Sequence, residues 1–125
     1  MILLLDAHTV LLWLADDPTL DPVARAAIAE PKNDILVSAA SIWEIEIKRA
    51  LGRLSAPDGL LAAVDEAGFE VLPITGQDAE RAGSLSADHR DPFDRMLVAQ
   101  ASRVGALVVS RDAAFVAYGT DVLSA

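Results

Sequence analysis

Two short, unbroken apolar runs limit the folds open to this chain. Ile2-Leu3-Leu4-Leu5 is followed at once by Asp6, and Ala106-Leu107-Val108-Val109 leads through Ser110-Arg111 to Asp112. Neither run alternates between apolar and polar residues, so each reads as a strand covered on both faces, as in a parallel sheet. In open α/β sheets, function gathers beyond the carboxyl ends of such strands. Asp6 and Asp112 are placed there, and two further acids, Glu44 and Asp94, lie on helices elsewhere in the chain. A pocket of carboxylates cannot keep every charge unpaired, so a bound divalent cation is expected.

The rest of the chain alternates strand and helix signals. Strands are expected near 2–5, at 35–37, 69–72 and 106–109, with an edge strand at 121–123. Helices are expected near 8–15, 21–29, 39–51, 58–66, 76–84, from Asp91-Pro92 to about 103, and near 112–118. Pro57-Asp58 is taken to open the fourth helical segment and Gly52 to end the third. This βα alternation with short connections predicts an α/β fold with a mostly parallel central sheet flanked by helices. There is no repeat, no low-complexity segment and no phosphate-binding glycine loop.

At 125 residues, 53% of them apolar, one domain spanning 1–125 with an aliphatic core is expected. The apolar surplus hints at surface that a partner covers. The chain has no cysteine, which excludes a disulfide scaffold or thiolate metal site and fits a reducing compartment. The opening lacks a basic segment and Val10 to Ala15 is too short to span a bilayer, so a cytoplasmic protein without targeting segment or membrane contact is expected. A net charge of −9 argues against a simple nucleic-acid-binding module. It says less against a metal-dependent nuclease, because a bound cation reverses the local sign.

Each acid has a structural reading beside a functional one. Asp6 and Asp112 are placed to cap the helices they precede. Asp91 suits an N-cap, with Pro92 at the first helical position. Glu44 cannot be a cap, because it lies a turn inside its helix, on the edge of an apolar arc with Lys48 one turn later. Glu46 points elsewhere and reads as structural. Asp94 heads the core-facing stripe Leu97, Val98 and Ala101, where an unbound acid is costly. His8 reads either as a support for Asp6 or as a partly exposed residue, and His89 reads as shaping the turn before the Pro92 helix. Without cysteine or an HExxH pattern, zinc is not expected. Trp13 and Trp43 read as core or interface residues.

Four segments together resemble the PIN-domain ribonucleases. They are Leu4-Leu5-Asp6-Ala7-His8 with Leu11-Leu12-Trp13-Leu14; Ser38-Ala39-Ala40-Ser41-Ile42-Trp43-Glu44-Ile45-Glu46-Ile47-Lys48 with Leu51-Gly52-Arg53-Leu54; His89-Arg90-Asp91-Pro92-Phe93-Asp94-Arg95-Met96-Leu97-Val98-Ala99-Gln100-Ala101; and Val108-Val109-Ser110-Arg111-Asp112. The third has the form seen in the VapC toxins of bacterial toxin–antitoxin pairs. The resemblance implies a PIN fold and a single-strand endoribonuclease using Mg²⁺ or Mn²⁺. It also implies a homodimer neutralised by a cognate antitoxin whose tail lies across the site. The family's acids fall on Asp6, Glu44, Asp94 and Asp112, with Ser110 as the hydroxyl of the last motif. Asp91 is an extra acid, either cap or ligand.

On this reading Asp6 and Asp94 are direct ligands, while Glu44 and Asp112 act through water or orient the nucleophile. Lys48, Arg95 and Arg111, with Arg49 and Arg90, are candidates to meet RNA phosphates. Two rivals come from other classes. A receiver-type phosphoacceptor domain also gathers acids around Mg²⁺, but it needs a lysine after a late strand, and Val108-Val109-Ser110-Arg111 offers none. A catalytically silent PIN-like binding module is the other, against which the presence of all four acids weighs.

Overall fold

A computed structural model describes residues 1–86 and 90–125. The apolar runs pair with one another in a five-stranded sheet: β1 (Ile2–Leu5), β2 (Asp34–Ser38), β3 (Glu70–Leu72), β4 (Leu107–Ser110) and β5 (Val122–Ser124), in the order β3-β2-β1-β4-β5. Every pairing is parallel. The chain moves outward from β1 through β2 to β3, then returns to the far side of β1 for β4 and β5. The order therefore reverses between β1 and β4, which is where an open α/β sheet leaves a crevice at its carboxyl end.

Helices cover both faces. They are α1 (Ala7–Leu14), α2 (Pro22–Ala29), α3 (Ala39–Ala50), α4 (Leu60–Glu66), α5 (Gly76–Ser84) and α6 (Pro92–Val104), with a 3-10 helix at Ala113–Tyr118. Successive strand residues point to opposite faces. Leu3 and Leu5 of β1 thus join Val10, Leu12, Ile28, Ile45 and Val64 in one core layer. Leu4 joins Leu36, Leu97, Val98, Val108 and Phe115 in the other. The acids and hydroxyls at the strand ends start the next helices: Asp6 accepts from Thr9 N, Ser38 from Ala40 N, and Asp112 from Ala114 N. Among the described residues no helix is long and apolar enough to cross a membrane.

The helix near 58 starts later than expected. Asp58 does not cap it; α4 begins at Leu60 behind Gly59, which adopts a left-handed conformation (φ 66°) without a side-chain cap. The cause is Arg49, whose guanidinium draws the 56–58 segment toward α3 by bonding the carbonyls of Ala56 and Pro57 and the Asp58 carboxylate. The segment near 112–118 is a 3-10 helix, and the expected edge strand runs parallel to β4.

Two arginines of α6 staple it to α5. Arg103 forks onto the buried Asp78 carboxylate, Nε to Oδ1 at 2.7 Å and Nη2 to Oδ2 at 2.9 Å. Asp78 also completes a capping box with Thr75. At the other end of α5, Arg95 bonds the carbonyls of Ala82, Gly83, Leu85 and Ser86. The Arg103 hydrogen bonds hold the Asp78 carboxyl below the usual carboxylate range despite its burial, and Thr75 adds to this. A depressed folded-state pKa contributes stability that is present above the ordinary value, about 3.9, and lost as pH falls through the lower one. Asp78→Asn is therefore expected to lower stability near neutral pH by on the order of 1–3 kcal/mol. Thermal melts should show that deficit shrinking below about pH 4; a deficit independent of pH would rule out the ionic contribution.

Candidate active site

The parallel register Leu5↔Val109 brings the ends of β1 and β4 together. Asp6 N donates to Val109 O, and the Thr9 hydroxyl donates to the same carbonyl at 3.0 Å. Asp6 is only 8% exposed. Its Oδ1 accepts from Thr9 N and its Oδ2 accepts a short hydrogen bond from the Ser110 hydroxyl. Ser110 Oγ in turn accepts from Asp112 N at 2.9 Å. Asp6, Ser110 and Asp112 thus form one hydrogen-bonded chain across the two strands. A carboxylate offers about four lone-pair sites, so two bonds leave Asp6 able to accept more.

Above this base lies a cleft of about 670 Å³. Ala7 and His8, the residues after Asp6, line it, together with Glu44, Asp91, Asp94 and Asp112. Glu44 comes from α3, whose side chain there is 12% exposed and accepts from Lys48 Nζ at 2.7 Å. The hydrogen bond to Glu44 holds the Lys48 ammonium above the ordinary lysine range against the cost of its partial burial, and the charges of Glu44, Asp91 and Asp94 add to it. One ammonium therefore stands in the field of three carboxylates. Asp91 caps α6 through bonds to Phe93 N and Asp94 N while also lining the cleft. On the solvent side of the α3–α6 junction the Trp43 and Phe93 rings meet edge to face, centroids 5.5 Å apart.

The donor set is all hard oxygen, which suits Mg²⁺ or Mn²⁺ and not a soft metal. Among the described residues no three acidic or histidine side chains are gathered closely enough to ligate one ion by themselves. Mg²⁺ characteristically takes one or two carboxylates and keeps several waters, so the arrangement fits an ion held partly through water. Lys48 already shows that the cluster accommodates a cation.

A sequence model of the PIN domain matches residues 3–120. The chain belongs to the PIN domain family. No curated protein matches it significantly by sequence. Its fold is similar to VapBC2 from Rickettsia felis bound to a promoter DNA fragment, with TM-score 0.72 at 14% identity over 99% of this chain and 98% of that one. DNA-bound VapBC from Salmonella typhimurium gives 0.71 at 20% identity over 99% and 98%. VapBC-5 from Mycobacterium tuberculosis, a member of the VapBC family of toxin–antitoxin systems, gives 0.62 at 18% identity over 98% and 96%.

In this PIN domain the acids expected at the site converge on one end of the sheet. The candidate phosphate contacts divide. Lys48 and Arg111 line the cleft, Arg111 while also bonding the carbonyls of Thr19 and Ala125. Arg95 does not line it; its guanidinium is turned onto the α5 carbonyls, and Arg49 is turned onto the 56–57 carbonyls. Trp13 packs against Phe69 and the core, whereas Trp43 is 62% exposed. Sequence reading passed over Thr9, whose place three residues after Asp6 marked it as the amide the cap would bind. It also passed over Asp17, which lines the cleft from a loop no motif singles out, and gave no role to Arg53, which lines it from the end of the second PIN-like segment. His89 lies outside the described residues.

Asp91 can be tested for its two roles separately. Asp91→Ala should cost about 1 kcal/mol through the lost cap, measured by chemical denaturation. Asp91→Asn, which caps equally well, should stay within a few tenths of wild type. An equal loss in both variants would mean that its charge, not its capping bond, supports the fold.

Proposed function

We propose that this PIN domain is a metal-dependent endoribonuclease of the VapC type, cleaving single-stranded RNA by attack of water on a phosphodiester. The observation that carries this reading is the cleft lined by Glu44, Asp91, Asp94 and Asp112 over an Asp6 carboxylate fixed by Ser110 and Thr9. Asp6 and Asp94 would hold a divalent cation, Mg²⁺ or Mn²⁺, directly. Bound there, the ion would acidify water and offset charge on the phosphoryl oxygens. Asp112 uses one oxygen as a cap and keeps a second to orient water. Lys48 fixes the Glu44 carboxylate, and together with Arg53 and Arg111 it gives the cleft cations for RNA phosphates.

The fold neighbours include VapBC complexes, which supports an antitoxin as partner. Such a partner would set a basic side chain among the acids, with Arg the best suited to fork onto carboxylates. Apolar side chains left at the surface, Val23, Leu51 and Leu61, support the covering of further surface by that partner or by a second copy in a homodimer. The proposed setting is the cytoplasm, where translated RNA is available.

Cleavage of single-stranded RNA should vanish in chelator and return with Mg²⁺ or Mn²⁺, because the acids alone repel phosphate. Asp6→Asn and Asp94→Asn should each lose cleavage while keeping the circular dichroism of the wild type. Expressed alone, the wild-type chain should arrest growth and Asp6→Asn should not. Undiminished cleavage in chelator would overturn the metal mechanism, and the absence of any cleavage with metal would leave a silent binding module.

A further inference from the structure

An anionic polymer gains little from the average field of a chain carrying a net charge of −9. The cations near the cleft are also partly committed: Lys48 to Glu44, Arg49 to the Ala56 and Pro57 carbonyls, and Arg111 to those of Thr19 and Ala125. Arg53 also lines the cleft, but against the acids there a contact independent of charge would add to the affinity for RNA.

The α3–α6 junction offers one. Trp43 is 62% exposed although it meets Phe93 at 5.5 Å with the rings 72° apart. A ring placed there for apolar burial alone would leave most of its surface in water. Trp43 immediately precedes Glu44 on α3, and half-buried Phe93 immediately precedes Asp94 on α6. Those two acids share the field of Lys48 in the cleft. The aromatic pair thus stands one helix position before an acid of the cleft on each of two helices, outside the cleft's own lining. The edge-to-face contact restrains the Trp43 ring and so lowers the entropy lost when a flat partner binds it.

We propose that Trp43, braced by Phe93, is a stacking platform for a nucleobase of the single-stranded RNA, holding a nucleotide beside the one whose phosphate enters the cleft. This rests on the ribonuclease reading of the cleft. Stacking of a base on an aromatic face is tolerant of sequence and independent of charge, which suits a cleft rich in acids.

The test uses the full chain with Mg²⁺ and short single-stranded RNA oligonucleotides. Trp43→Ala and Trp43→Leu should raise KM by about ten-fold or more with kcat little changed, and by the same factor at low and high salt. Trp43→Phe should retain near wild-type KM. In a Trp13→Phe background, RNA should quench the remaining Trp43 emission. If the wild type cleaves RNA but Trp43→Leu matches it in KM, the platform is overturned while the ribonuclease reading stands. The same holds if RNA leaves Trp43 emission unchanged. If light scattering shows that Trp43→Ala dissociates a dimer while KM is unaffected, the ring belongs to a protein interface. A wild type that neither binds nor cleaves RNA removes both readings.

Discussion

The parallel pairing of β1 with β4 is the contact on which the site depends. It joins segments whose key side chains, Asp6 and Ser110, stand 104 positions apart. Leu3, Leu4, Leu5, Val108 and Val109 are fully buried, so the ladder is protected from water on both faces. The register it imposes puts Val109 O opposite Asp6 N and Ser110 beside the Asp6 carboxylate. A slip of one residue would turn Ser110 to the other face of the sheet and leave Asp6 without its hydroxyl donor.

Charge governs what can be built on that base. Five carboxylates, those of Asp17, Glu44, Asp91, Asp94 and Asp112, line the cleft, and repulsion among those of Glu44, Asp91 and Asp94 would open the junction of α3 and α6 if nothing compensated it. Two local devices do so. Asp6, Asp91 and Asp112 each accept backbone amides at a helix start, where the helix dipole favours negative charge. Lys48 stands among Glu44, Asp91 and Asp94 as an internal counter-ion. A divalent cation or the guanidinium of a partner would meet the same field.

The arginines show how a basic residue can be diverted. Arg95 and Arg103 hold the two ends of α5 against α6, and Arg49 fixes the loop after α3. A guanidinium is a rigid fork of five donors, so a set of unpaired carbonyls at a helix end or loop can hold it as firmly as a phosphate would. The positions of α6 and α3, and with them Asp94 and Glu44, rest in part on these staples.

The apolar runs, the caps and the short connections made the strands, the helices and their parallel class legible from the chain alone, because each is a local preference of a few residues. The resemblance of four segments to PIN domains, and not a local preference, marked Asp6, Glu44, Asp94, Asp112 and Ser110 as a set. The Glu44–Lys48 pair followed from helix spacing, and the cap role of Asp91 from the proline after it. What the chain alone left open were contacts between distant segments: the bond from Ser110 to Asp6, the Thr9 brace, the Asp78–Arg103 clamp, the turning of Arg95 away from the cleft, and the delay of α4 by Arg49. The same applies to Trp43, whose helix face read as core or interface and whose 62% exposure excludes the core. A sequence determines which residues favour a strand end or a helix start, since those preferences act over a few bonds. Which carboxylate meets which donor is decided only when the sheet closes, because that meeting depends on strand order and register, to which no single segment is sensitive.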